Sequence, residues 1–213
     1  MNSITDVASL TDFGRQRLSE HFFMREMLYS EVSNVHGVPN IPDDPDLALE
    51  VGRKFCTLVL EPLRAAFGHI SIRSAFRSAH CNGFCHERLK AGDEASWCGP
   101  NEYNFAKHIW DHRDEHGHLG AVATVVVPSY IEYFEQTHDW KPLGWWIRDN
   151  LAHYSEVIFF KNLGAFNIGW YDGAATKAIS YLAPPVEELL TKAGMDNFYG
   201  DHSEHYRHIL RLK

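Results

Sequence analysis

The spacing of apolar residues predicts a helix and two strands in the first part of the chain. Apolar side chains recur at steps of three and four from Leu47 to Val59, which indicates an amphipathic helix running toward Gly68 with an interruption at Pro62. Residues 69–74 alternate between apolar and polar, as in a half-buried strand. Residues 121–127 form a continuous apolar run closed by Pro128, which favours a central strand.

The remaining pattern predicts a mixed architecture. Helices are expected over 130–134 and 143–151, strands over 155–160, 165–171 and 178–182, and a short helix near 186–193. The fold class is therefore α+β, a single domain with a mostly antiparallel sheet flanked by helices. We expect this domain to cover 1–183, with a C-terminal extension over 184–213 packed on it. Residues 79–120 have little periodicity and are expected to form an extended loop insertion that carries function.

Composition narrows the class of protein. The 213 residues are 45% hydrophobic and 23% charged, which is typical of a globular protein. The net charge of -8 argues against nucleic acid as a partner. Because there is no long apolar run and no signal-like N-terminus, we expect a cytoplasmic protein with no membrane partner. Four cysteines are too few for a disulfide scaffold, so free thiols are expected.

Histidine is the unusual component, since the chain has 14 of them. The densest cluster runs from His108 to His118 and combines imidazoles with carboxylates, which suit zinc or another first-row divalent ion. If this segment is helical, His108 and His112 lie one turn apart with Asp111 beside them. If it is a loop, Asp111 or Asp114 could orient a liganding imidazole. A solvated polar loop is the alternative.

Two other groups of residues have metal-ligand chemistry. Residues 200–208 contain three histidines, of which His202 could complete a site begun at His108; a solvent-facing tail is the alternative. Cys81, Cys85 and Cys98, flanked by histidines, suit structural zinc in residue type, although the spacing is not the usual C-x2-C. Buried or free thiols are the alternative there. Sequence motifs for nucleotide binding and for serine hydrolysis are absent.

Several motifs occur in the order found in a known family. They are LSEHF at 18–22 followed by Arg25 and Glu26, LEPLR at 60–64, and IRSAFRS at 72–78 followed by Asn82. The strands at 120–128, 155–160 and 165–170 follow. Over residues 18–172 the chain resembles the M15 family of zinc D-Ala-D-Ala peptidases, and the resemblance implies an M15-like fold.

The resemblance also implies where a metal site would lie. The family binds zinc through a His-x6-Asp pair and a late His, with a Glu acting as general base. His108 best matches the first His, whereas the Asp position is Thr124 and the late His position is Ile168. A remodelled ligand set of His108, Asp111 and His202 is therefore expected, holding Zn²⁺ or another first-row divalent metal. Asp114 or Glu115 would take the proton from a metal-bound water.

The resemblance places Arg77 at the mouth of a substrate pocket, where its guanidinium could bind a carboxylate in bidentate fashion. Ser74 and Trp110 are the other expected substrate-binding residues, although a tryptophan is also a common core residue. An Arg that only packs the turn is the alternative for Arg77.

Two functions follow from these features. The first is a divalent-metal-dependent hydrolase of a small peptide or amide, with a cell-wall-like peptide as one possible substrate. The second is a non-catalytic descendant that binds a peptide, a cell-wall fragment or a protein partner. Oxygen-dependent chemistry at a His and carboxylate iron site is a third possibility.

Overall fold

The computed structural model describes residues 4–212. Its helices and strands follow one another in mixed order along the chain. They are α1 Val7–Gly14, α2 Met24–Met27, α3 Glu31–His36, α4 Pro45–Phe55, α5 Glu61–Phe67, β1 Ser71–Ser74, α6 Ala79–Lys90, α7 Asn101–Asn104, β2 Gly120–Val126, α8 Pro128–Thr137, α9 Lys141–Asn150, β3 Glu156–Phe160, β4 Phe166–Tyr171, β5 Ala178–Ala183, β6 Val186–Thr191 and α10 Ser203–Tyr206. A π-helical turn joins α4 to α5 over Cys56–Leu60, and short 3-10 turns lie at Asp196–Phe198 and Ile209–Arg211.

The strands form one open sheet of six in the order β1-β2-β4-β3-β5-β6. Strand β3 is antiparallel to β4, with Val157 opposite Ile168, and parallel to β5, with Val157 opposite Ile179. Strand β5 is antiparallel to β6. The α+β class with a mostly antiparallel sheet is thus confirmed.

The chain divides into two compact units. Unit 1 comprises the residues up to Cys56 and Ser74–Ala123, and unit 2 comprises Thr57–Arg73 and the residues from Thr124 onward. The expected boundary between 183 and 184 falls at the turn that joins β5 to β6, so the start of the expected extension is a strand of the sheet.

Three sequence expectations on local structure are corrected. The helix expected near 186–193 is wrong, because Val186–Thr191 pairs with β5 as an antiparallel strand. The loop expected over 79–120 begins with the 12-residue helix α6, whose first turn is capped by the Ser78 side chain. The expectation of free thiols is wrong for Cys85 and Cys98, which form a disulfide, whereas Cys56 and Cys81 are buried and not part of a disulfide.

The predicted interruption at Pro62 takes the form of the π-helical turn that precedes α5. Pro62 is the second residue of α5 and directly follows the π-helical turn, so its missing N–H leaves a carbonyl oxygen of that turn without a helical donor. The wider π turn over Cys56–Leu60 separates the two α-helical segments, so the amphipathic run is not one continuous α-helix.

Aromatic side chains occupy the interior of unit 1. Trp110 is fully buried and meets the rings of Phe55 and Phe76 edge to face, at centroid distances of 5.7 and 6.0 Å. Its indole Nε1 donates a hydrogen bond to the carbonyl oxygen of Val122. This packing fixes the chain next to Asp111 and His112. No helix within residues 4–212 is long and apolar enough to cross a bilayer.

Candidate functional site

Asp43, Asp111 and His112 come together in unit 1. Each offers one ligand atom, and these atoms lie within 4.8 Å of one another. Asp43 lies just before α4, and the other two lie in the loop between α7 and β2. Two carboxylates and an imidazole form a donor set that suits Zn²⁺ and other first-row divalent ions.

Asp111 is the buried member of this group, with 5% of its surface exposed. Its Oδ2 accepts hydrogen bonds from the backbone N–H groups of Asp43, at 2.7 Å, and Asp44, at 3.2 Å. Since the Asp44 side chain caps α4, these bonds attach the start of that helix to the loop. The other oxygen, Oδ1, is buried without a hydrogen-bond partner in the described residues.

That unpartnered oxygen matters for the chemistry of the group. Burial raises the pKa of Asp111, while the backbone N–H of Asp44 and the charge of His112 act to lower it. A buried acceptor without a donor is unfavourable, and a cation bound to it would remove the deficit. The residues therefore fit a divalent ion.

His112 lies against Asp43. Its Nε2 is 3.0 Å from Asp43 Oδ2, and its ring stacks on Phe105 at a centroid distance of 4.8 Å. The stacking fixes the plane of the imidazole. A cation bound between His112 and Asp43 would replace the proton that otherwise joins them.

His108 does not belong to this group. It is 7% exposed, and its Nδ1 lies 2.9 Å from the carbonyl oxygen of Ala75. Burial holds the pKa of His108 well below its usual value, and the positive charge of Arg77 acts in the same direction. The ring is therefore neutral at pH 7.

His202 lies in unit 2, whereas His108 and Asp111 lie in unit 1. Its Nδ1 is 2.9 Å from Asp149 Oδ1, its Nε2 is 3.0 Å from the carbonyl oxygen of Asn197, and its ring stacks on Trp145 at 4.1 Å. Both ring nitrogens thus face protein acceptors. The structure groups Asp111 with Asp43 and His112, and not with His108 or His202.

The two expected proton acceptors lie in the turn after His112. Asp114 Oδ1 accepts hydrogen bonds from the backbone N–H groups of His116 and His118, both at 2.9 Å. Glu115 is exposed, with a carboxylate oxygen 3.7 Å from His116 Nε2. Asp114 closes this turn, and neither carboxylate is part of the metal-ligand group.

The family ligand positions implied by the resemblance hold no metal-binding side chain. Thr124 donates its hydroxyl proton to Asn167 Oδ1 at 2.6 Å. Ile168 is fully buried on β4. Unit 2 therefore gives no support for a metal site at the positions where the family has its Asp and its late His.

Arg77 has an unusual environment. Its Nη1 lies 2.6 Å from Cys98 Sγ, and its Nε is buried without a hydrogen-bond partner. Among residues 4–212, no carboxylate pairs with it. Burial lowers the pKa of Arg77 to about 10, which leaves the guanidinium charged at pH 7. An incoming carboxylate would supply the missing counter-charge.

The other two expected substrate-binding residues differ in their exposure to solvent. Ser74 ends β1 and is partly exposed, whereas Trp110 is completely buried and packs in the core of unit 1. Trp110 therefore supports the loop that carries Asp111 and does not contact solvent.

Sequence reasoning missed Asn40, which holds the chain on both sides of Arg77. Asn40 Nδ2 donates to the carbonyl oxygen of Phe76 at 3.0 Å, and its Oδ1 accepts from the N–H of Ser78 at 2.7 Å. The backbone N–H of Arg77 itself donates to the carbonyl oxygen of His108. A polar residue between two prolines was the only signal in the sequence.

Comparison with known protein families, curated proteins and solved structures finds no match. The resemblance to M15 peptidases therefore stays a prediction.

Proposed function

We propose that the chain binds a divalent metal ion through Asp43, Asp111 and His112 and uses it to hydrolyse a small peptide or amide that has a free carboxylate. The strongest support comes from the carboxylate of Asp111. Its Oδ1 is buried and accepts no hydrogen bond from the described residues, and Asp43 and His112 each offer a further ligand atom nearby. Three protein ligands leave coordination positions for water and substrate, as in catalytic zinc sites.

Each part of the chain would have a distinct task in this reaction. The bound ion would supply a water of lowered pKa and polarise the scissile carbonyl. Arg77 would hold the substrate's carboxylate through its Nε and the N–H groups not directed at Cys98. Asp114 and Glu115 remain the proposed proton acceptors. An M15-like origin with a remodelled metal site is part of the same proposal, and a cell-wall-like peptide is its proposed substrate.

Metal content tests the site directly. Untagged protein purified without chelator should contain about one equivalent of zinc or another first-row metal per chain. The His112→Ala and Asp111→Asn variants should lose it, because each removes one of three ligands. The matched control is His116→Ala, since His116 is exposed and lies outside the ligand group. Metal-free wild-type protein, or equal loss in the control, would contradict the proposed site.

Turnover is tested separately from binding. A D-Ala-D-Ala dipeptide with a free carboxylate should be cleaved by the metal-loaded protein, whereas its C-terminal amide should react poorly because Arg77 has no carboxylate to bind. Cleavage that survives removal of the metal would refute the metal-dependent mechanism.

A non-catalytic peptide-binding domain is the second candidate. It is favoured by the position of Asp114 and Glu115, which lie outside the ligand group, together with the unpaired N–H of Arg77. In that case the same dipeptide should bind in calorimetry without being cleaved. The Arg77→Met variant should lose this binding. If the wild-type protein neither binds nor cleaves the dipeptide, a protein partner becomes the alternative ligand.

The sequence predicts a cytoplasmic location. The Cys85–Cys98 disulfide favours an oxidising compartment instead, because such bonds are rare in the cytosol. Acid quenching of intact cells followed by alkylation in denaturant would decide between the two, since Cys85 and Cys98 of a cytoplasmic protein should be found reduced.

A further inference from the structure

The Cys85–Cys98 disulfide has a half-buried cation, the guanidinium of Arg77, against one of its sulfurs. Arg77 Nη1 is 2.6 Å from Cys98 Sγ, and no carboxylate in the described part of the chain neutralises the guanidinium. A buried positive charge without a counter-ion is unfavourable. The disulfide sulfur is neutral and supplies none.

Reduction of the disulfide would supply the negative charge that Arg77 lacks. When the bond is broken, Cys98 can leave as a thiolate directly against Arg77, and the N–H of the guanidinium would donate a charge-assisted hydrogen bond to it. Any interaction that stabilises the dithiol form raises the reduction potential of the pair. The contact therefore favours the reduced form relative to a disulfide without a neighbouring cation.

We propose that Cys85–Cys98 is a redox-active disulfide in which Arg77 stabilises the thiolate of Cys98. Its co-substrate would be a dithiol. A thiolate of the dithiol attacks Cys85 Sγ, the S–S bond breaks, and Cys98 leaves as a thiolate paired with Arg77. The second thiol of the reagent then attacks the mixed disulfide, passes its proton to Cys85, and departs in an oxidised, cyclic disulfide.

Access to this disulfide depends on the segment between α6 and α7. Cys85 and Cys98 are 1% and 4% exposed, so exchange requires this segment to open locally. The segment is held by the ion pair between Arg88 Nε and Asp93 Oδ2, at 2.8 Å. His86 Nδ1 also lies 2.9 Å from the carbonyl oxygen of Cys98.

Cys81, one turn before Cys85 on α6, is a different kind of thiol. Its sulfur contacts Ser30 Oγ at 3.6 Å, and burial raises its pKa, although the hydrogen bond from Ser30 and the charge of Arg77 oppose this. A buried, protonated thiol is a poor nucleophile. Mass mapping of alkylated peptides should therefore assign the redox change to Cys85 and Cys98 alone.

The test is a redox titration of the full chain. Protein is equilibrated with mixtures of reduced and oxidised dithiothreitol at pH 7, trapped by alkylation and analysed by mass spectrometry. The Arg77→Met variant should shift the equilibrium constant toward the disulfide by about ten- to a hundredfold, the strength of a hydrogen bond to a charged group. The Arg77→Lys variant, which keeps a positive charge, should lie between Arg77→Met and wild type.

The sign of the shift separates an electrostatic role from a packing role. Loosening the segment between α6 and α7 lowers the effective concentration of the two thiols and shifts the equilibrium toward the dithiol. Arg88→Met, which removes the α6 guanidinium that pairs with Asp93 of this segment and does not contact sulfur, is the control for that effect. No change in Arg77→Met, or a shift toward the dithiol, would overturn the proposal.

The readout does not depend on the proposed metal or peptide. The redox proposal can therefore fail while the hydrolase proposal survives, and the hydrolase proposal can fail while the redox proposal survives. If circular dichroism shows that Arg77→Met does not fold, Arg77→Gln keeps an N–H donor without the charge and must shift the equilibrium in the same direction, by a smaller factor.

Discussion

Replacing Asn40 with alanine tests how unit 1 holds the segment that carries Arg77. Asn40 is 7% exposed. Its Nδ2 donates to the carbonyl oxygens of Leu28 and Phe76, both at 3.0 Å, and its Oδ1 accepts from the N–H of Ser78 at 2.7 Å. One amide side chain thus joins three stretches of backbone in the interior.

The expected cost follows from these bonds. Asn40→Ala leaves two carbonyl oxygens and one N–H without their partner, and each such group costs about 1–3 kcal/mol when it stays buried. Water entering the space left by the amide would offset part of this, so we expect a loss of about 3–6 kcal/mol in the free energy of unfolding. That is a large fraction of the roughly 5–15 kcal/mol that stabilises a typical domain.

Urea unfolding followed by circular dichroism measures this loss. The matched control is Asn34→Ala, since Asn34 is exposed on α3, and its effect should stay within about 0.5 kcal/mol. A loss below about 1 kcal/mol for Asn40→Ala would refute the reasoning, because that is the typical value of a single ordinary hydrogen bond.

Two further predictions concern unit 2. Gly144→Ala should destabilise the protein by about 1–3 kcal/mol, because the added Cβ would lie 2.9 Å from Leu190 Cδ2. An unchanged melting temperature would contradict this close approach. At Asp149, burial acts to raise the pKa, but hydrogen bonds from Arg148 and His202 outweigh it and hold the pKa below the ordinary 3.8. The stabilisation from this depressed pKa is therefore present at neutral pH and is lost as the pH falls below about 4 toward the folded-state value. Urea midpoints between pH 7 and pH 3 should show a smaller acid loss in Asp149→Asn, and parallel curves for both proteins would contradict it.

The sequence predicted the elements whose apolar spacing is strong. The run from Leu47 and the strand at 121–127 are of this kind, because one face or both faces of the element are buried. Val186–Thr191 mixes acidic and apolar residues in a way that also suits a helix, and pairing with β5 decides its structure. Helix α6 buries Cys81, Asn82 and Cys85, so hydrophobic spacing gave little sign of it.

The candidate site was predicted only where its residues are neighbours in the chain. Asp111 and His112 both belong to the cluster that the sequence singled out. Asp43 lies 68 residues before Asp111, and it was missed because the contact depends on two backbone hydrogen bonds at the start of α4. His108 looked like a ligand from residue type and spacing, but backbone geometry directs its ring to Ala75.

The course of the chain between the two units limits how this protein can be divided or recombined. The chain passes from one unit to the other at 56/57, 73/74 and 123/124. These points fall inside the π-helical turn, β1 and β2, and not in loops. Neither unit is a continuous stretch of sequence, so no single cut yields either unit as an intact fragment. An exchange of one unit alone would have to break a helix or a strand, and an inserted residue there would change the phase of regular structure. Tolerated insertions should therefore map to surface turns away from these three points.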